Sequence, residues 1–155
     1  MIEEKIRQLG LKLPEAAKPL AAYIPALQVD ELIFTAGQLP FFDGELKFKG
    51  KVGAEINDSE GSKAAEICAL NCLSAIKSLI GDLELVERVI KLTVFVNSAA
   101  GYSSQPKIAN GASELIVKIF GESGKHVRSA VGVNELPLNA PVEIEMIVKI
   151  KKPFI

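Results

Sequence analysis

The apolar and polar positions along the chain change period several times, and each change marks an element. Ile2, Ile6 and Leu9 share one face of a short helix that Gly10 ends, and Pro14 and Pro19 keep the next segment extended. Two apolar runs, "IPALQV" and "LIFTAG", flank Asp30 and Glu31 as a tight-turn candidate, and "GELKF" adds a third short strand after the turn at Asp43 and Gly44. From about Ser59 to Leu79 the spacing becomes helical. Ala65, Cys68, Ala69, Cys72, Leu73, Ile76, Leu79 and Ile80 recur every three or four residues, Lys63, Glu66 and Lys77 lie elsewhere, and Gly81 is the stop.

"RVIKLTVFVN" then alternates with period two, placing Ile90, Leu92, Val94 and Val96 on one face and Lys91, Thr93, Phe95 and Asn97 on the other. "NSAAGYSSQPK" reads as a loop. A second helix follows through Ile108, Ala112, Leu115, Ile116, Ile119 and Phe120, ended by Gly121 or Gly124. Strands at about 126 to 133 and 141 to 150 complete the order βββ, α, β, α, ββ. Each helix is a crossover, so the natural closure is a mixed sheet with both helices on one side. In the last strand Val142, Ile144, Met146, Val148 and Ile150 pack under the helices and leave Glu143, Glu145, Ile147 and Lys149 on the opposite face. In the strand before it, Val127, Val131 and Val133 oppose His126, Arg128 and Ala130. Two helices cannot cover both sides of the sheet, and its second face mixes charges with Phe95 and Ile147. An oligomer with a polar site at its seam is the expectation.

Composition narrows the class. With 155 residues, 48% hydrophobic and 24% charged, the chain is expected to be one domain over 1–155, with 1–22 as an N-terminal extension. The 18 basic and 19 acidic residues form no dense cationic block, which disfavours nucleic acid as the main ligand. "MIEEKIRQLG" lacks the apolar core of a signal peptide, and no run reaches the roughly 18 apolar residues of a membrane span. A cytoplasmic protein is expected. Cys68 and Cys72, without a second Cys or His pair, fit buried small hydrophobes better than a metal site.

Four stretches, "FTAGQLP", "KLTVFVN", "HVRSAVGV" and "VEIEMIVKI", resemble in this order, and over nearly the whole chain, the YjgF/RidA family, the reactive intermediate deaminases. Some members carry the older label endoribonuclease L-PSP. The long N-terminal arm and "GKHVRSAVGV" are more similar to a longer branch than to the archetypal deaminases. The resemblance implies an α+β, chorismate mutase-like fold with two helices on one face of a mixed sheet. It also implies a homotrimer with three sites between subunits. The implied activity is hydrolysis of enamine or imine intermediates, such as 2-imino acids, to 2-keto acids and ammonia, with no metal or cofactor. Residue by residue, it implies that Arg128, in R-S-x-V, binds a substrate carboxylate and that Glu143, in V-E-I-E, positions or activates water. Tyr23 resembles a family tyrosine ahead of the G-Q turn, Asn110 a family asparagine near the start of the second helix, and backbone groups of Gly37 and Ala130 line the pocket. Ala130 and Ala36 stand where archetypal members have cysteine and many have serine, so substrate identity stays open.

The same residues have plainer uses. Arg128 also fits an interface salt bridge with Glu143 or Glu145, although its planar fork suits a carboxylate ligand better than a lysine would. His126, on the face of Arg128, fits either a pocket rim or proton shuttle or a hydrogen-bonded structural histidine. A tyrosine such as Tyr23 is more often packing plus one hydrogen bond, and Asn110 also fits a plain helix-start residue. Three functions follow: an imine deaminase, a non-catalytic trimer that binds small carboxylates or keto acids, and a ribonuclease. The last is disfavoured by one histidine, two tyrosines and no basic stripe.

Overall fold

The computed structural model describes residues 1–16, 18 and 22–152; Pro19, assigned above to the extended arm, lies outside them. Helix α1 (Ile2–Gln8) ends where its spacing requires. Gly10 takes φ 74°, and the N–H groups of Gly10 and Leu11 bond back to the carbonyls of Arg7 and Ile6. Ile6 is buried in the core, and Glu3 meets Lys77 at 2.9 Å, so the arm is fastened to the body at both ends of its first turn.

Strands β1 (Ala26–Val29) and β2 (Leu32–Thr35) form the expected hairpin around Asp30, which adopts φ 52°. The third early strand forms after the turn at Asp43 and Gly44, as expected, but outside the main sheet. The chain there makes a separate small hairpin, β3 (Phe41–Phe42) and β4 (Glu45–Leu46), turned at Asp43 and Gly44. Pro40 has no N–H to offer a ladder, and the turn reverses the chain before a longer strand can form. Strands β5 (Val86–Asn97), β6 (Val127–Val133) and β7 (Val142–Ile150) join β1 and β2 in a five-stranded sheet of order β1-β2-β7-β5-β6. β5 and β6 run parallel, and the other neighbours are antiparallel.

Helices α2 (Asp58–Ile80) and α3 (Gln105–Phe120) cover one face of this sheet. α2 begins on a capping box, with the Asn57 side chain accepting from the Glu60 N–H and the Glu60 carboxylate accepting from the Asn57 N–H, and ends at Gly81 with φ 82°. Its stripe is buried from Ala64 to Ile76, whereas Leu79 and Ile80, placed on that stripe by spacing, are exposed and half-buried in the last turn. Beneath the helices lie Leu92, Val94 and Val96 of β5 and Val142, Ile144, Met146 and Val148 of β7, none more than 1% exposed. Among the described residues no helix is long and apolar enough to cross a membrane.

Two residues of β5 depart from simple alternation. Register shifts against β7 at Val86/Arg88 and Val89/Lys91 turn Val89 into the core and leave Ile90 half-buried. Asn97, expected on the open face, is fully buried. Its amide accepts from Lys51 Nζ at 2.7 Å and donates to Asn139 Oδ1 at 3.2 Å and the Ala140 carbonyl at 3.1 Å, so its polar atoms are satisfied where strand alternation would have turned them to water.

α2 and α3 approach so closely at Gly111 that a Cβ there would stand 2.2 Å from the Ser62 carbonyl oxygen. Alanine at this site gains about 1 kcal/mol of helix propensity but meets backbone that cannot give way, and overpacking costs about 1–3 kcal/mol. Gly111→Ala is therefore expected to lower the urea midpoint rather than raise it. A midpoint at or above that of the wild type would show that the helices are not held at this spacing.

Candidate functional site

Among the described residues, those singled out from the sequence fall into two groups on opposite faces of the sheet. The first surrounds Glu143. Alternation along β7 sends Val142 and Ile144 into the core and Glu143 to the open face, where it pairs in register with Phe95. Beyond β2 the chain continues along β7, with the Gln38 N–H bonding the Ile144 carbonyl at 2.7 Å and the Ile144 N–H bonding the Gln38 carbonyl at 3.0 Å. This brings Gly37 against the carboxylate. A Cβ on Gly37 would lie 2.0 Å from Glu143 Oε1, so any side chain there would push the carboxylate out of its present place. Tyr23, Leu39, Phe41, Pro137 and Lys18 complete a concavity of about 220 Å³ over this pair. Burial pushes the Glu143 carboxyl above the ordinary carboxylate range, and the charge of Glu145 adds to the effect.

The second cluster surrounds Arg128. In the parallel ladder Arg128 pairs with Leu92 and Ala130 with Val94, and both β5 residues face the helices. Arg128 and Ala130 therefore face the helices too, while Val127, Ser129 and Val131 join Lys91, Thr93 and Phe95 on the open side. Arg128 Nη1 donates to Asn110 Oδ1 at 2.9 Å and to Ser113 Oγ at 3.1 Å, both on α3. Ser113 Oγ is also 2.9 Å from His126 Nε2, and His126 Nδ1 is 2.6 Å from the Gly124 carbonyl oxygen. Among the described residues Arg128 makes no ion pair.

Of the residues singled out from the sequence, Tyr23, Gly37 and Glu143 come together, as do Asn110, His126 and Arg128, with Ala130 next along the same strand face. The two sets do not meet within the chain. The intrachain form of the Arg128 to Glu143 or Glu145 salt bridge is thereby excluded, since the carboxylates and the guanidinium are on different sides of the sheet. Ser113 was not singled out. Its one sequence signal is its place three residues after Asn110, hence on the same face of α3. Cys68 and Cys72 lie behind β7, each thiol donating to one of its carbonyls, at 3.5 Å to Val142 and 3.3 Å to Ile144. Burial pushes the Cys72 thiol up to about 12 and that of Cys68 well above its ordinary value, which keeps both inert.

A mixed five-stranded sheet with two helices on one face, an open second face and a glycine-backed carboxylate defines the α+β, chorismate mutase-like class. The chain belongs to the YjgF family: the family model described as "YjgF/chorismate mutase-like, putative endoribonuclease" matches residues 3–150. It is 41% identical to Protein TCP17 of Trypanosoma cruzi, over 96% of this chain and 94% of that one. It is 28% identical to a 2-iminobutanoate/2-iminopropanoate deaminase of Dermatophagoides farinae, over 91% and 95%. Among solved structures it is similar to a "putative endoribonuclease" of Shewanella oneidensis MR-1, with a TM-score of 0.93, 31% identity, and coverage of 97% of this chain and 99% of that one.

The raised Glu143 carboxyl has a stability consequence. A carboxyl whose folded value exceeds its unfolded one favours the folded chain while protonated, and that contribution is lost as the pH rises through the folded value. Glu143→Gln, which cannot ionise, is expected to melt higher than the wild type near neutral pH, with the gap closing as the pH falls below the carboxylate range. A cation held against Glu143 in solution would reverse the sign of that gap, so melting curves across pH test the environment directly.

Proposed function

We propose that this protein is an enamine/imine deaminase that hydrolyses 2-imino acids to 2-keto acids and ammonia, at sites shared between the subunits of a homotrimer. The observation that carries the proposal is the separation of Arg128 and Glu143 onto opposite faces of one sheet. A carboxylate anchor and a base that cannot meet within a chain need a second copy to meet. The open face offers what would hold copies together: Leu27, Val29, Phe34, Val127 and Val131 are between 38% and 65% exposed. Burying a side chain of this size stabilises by about 1.5–3 kcal/mol, so a face carrying several of them favours association. The number three comes from the family resemblance.

In this scheme Arg128 grips the substrate carboxylate. Asn110 and Ser113 both accept from Nη1, and among the described residues the Nη2 and Nε edge has no partner. A water held by Glu143 of a second copy adds to the C=N carbon. Glu143 takes the water's proton and passes it to the imine nitrogen to give the carbinolamine; it then moves the carbinolamine's hydroxyl proton to the amine, the C–N bond breaks to release ammonia, and the C=O bond forms. A carboxyl lifted above its ordinary range is suited to both proton transfers. The name of the Dermatophagoides relative supports the same reaction class. A trimer that binds keto acids without turnover would use the same Arg128. The ribonuclease alternative draws on the family description, but the single histidine is engaged by Ser113 and Gly124.

Purified protein incubated with 2-iminobutyrate generated in place is expected to speed keto-acid release, while RNA in a parallel assay stays intact. Glu143→Gln should keep keto-acid affinity and slow hydrolysis by a factor on the order of 100. Arg128→Ala should lose both, because the anchor itself is gone. Equal turnover in Glu143→Gln and wild type would sink the assigned base, and a wild type that binds but never turns over would leave the binder. Light scattering at micromolar concentration is expected to report three chains per particle; a monomer would remove the shared site.

A further inference from the structure

We infer that Ser113 and His126 are positioning residues that aim Arg128 through a one-directional hydrogen-bond relay anchored on the Gly124 carbonyl. The inference rests on Arg128 being the carboxylate anchor proposed above. The two end links have their direction fixed by chemistry, and for a neutral ring the middle link follows from them. A carbonyl oxygen can only accept, so His126 Nδ1, 2.6 Å from the Gly124 oxygen, carries the ring proton. The neutral ring then presents a lone pair at Nε2, and the Ser113 hydroxyl, 2.9 Å away, donates to it. With its proton committed, the Ser113 oxygen faces Arg128 Nη1 at 3.1 Å as an acceptor, and a guanidinium can only donate.

The anchor of the relay is rigid. Gly124 closes the single turn after α3, and a Cβ there would stand 2.5 Å from the Ile116 carbonyl oxygen, so the turn is pressed onto the helix that also carries Ser113. Asn110 Oδ1, on the same helix, accepts from Nη1 at 2.9 Å. Arg128 lies on β6 at the edge of the sheet, half-buried, where an unrestrained guanidinium would sample many orientations. Two acceptors on one nitrogen select the orientation that leaves the Nη2 and Nε edge outward. One of those acceptors works in the required sense because His126 holds the Ser113 proton. The histidine thus acts at a distance on the ligand-binding edge without touching the ligand.

The chain has one histidine, so ring-nitrogen NMR on uniformly 15N-labelled protein reports His126 alone. The expected neutral form carries its proton on Nδ1, the reverse of the form a free histidine side chain favours, and the Nε2 signal should move in Ser113→Ala. With pyruvate as the probe, Ser113→Ala should weaken affinity about tenfold through loss of one acceptor from a charged donor, and Ser113→Thr, which keeps the hydroxyl, should restore it to within about twofold. A ring protonated on Nε2, or pyruvate affinity unchanged in Ser113→Ala, overturns the relay. If pyruvate fails to bind even the wild type, the carboxylate anchor falls, and the ring-nitrogen signals with their response to Ser113→Ala decide the relay by themselves.

Discussion

The structure depends on the burial of one face of β7. This strand lies between β2 and β5, and its inward residues Val142, Ile144, Met146 and Val148 are sealed beneath α2. A slip of one residue would turn all four outward and bring Glu143 and Glu145 into the core, so the register is fixed by a penalty far larger than any single contact supplies. Once it is fixed, Glu143 must face away from the helices. Through β5 the same register reaches β6, where Leu92 draws Arg128 to the helix side. The separation of carboxylate and guanidinium is therefore a by-product of how the core is closed.

The surroundings of each group are stiffened by packing that has no chemistry of its own. Behind β7, Cys68 and Cys72 bond its carbonyls from α2, and Thr35 accepts from the Met146 N–H at 3.0 Å. Beside the Glu143 concavity, the loop carrying Pro137 bends through Leu138 and Asn139, both at positive φ. That bend is held by Gly50, whose N–H bonds the Asn139 carbonyl at 2.8 Å, and by the buried Asn97, which joins Lys51 to Asn139 and Ala140. A strained loop persists where neighbours over-determine it, and here they do so next to the candidate base. Arg128 receives the same treatment from α3, with Asn110 and Ser113 one turn apart on a single helix face.

Much of this was legible in the residue pattern because it is local. The stripe from Ala65 to Ile76, the β-branched run of β5, the glycine stops and the alternation in "VEIEMIVKI" each state an element and a face without reference to the rest of the chain. Arg128 and Glu143 stood out because charges on otherwise apolar strands are costly without a partner or a task. Other features needed the assembled sheet. The bulges that put Val89 rather than Ile90 inside arise from pairing with β7, and no period in the sequence encodes them. The "GELKF" segment has strand composition, yet a proline and a tight turn kept it off the sheet. Which face of β6 meets the helices is set by its partner strand, since valines alternate there with small and charged residues and either face was open to burial. Ser113 looks like any helix serine until α3, β6 and the turn at Gly124 are brought together. Local spacing determined the elements, and the four motifs that resemble the family picked out the candidate residues; long-range pairing decided which of them share a face.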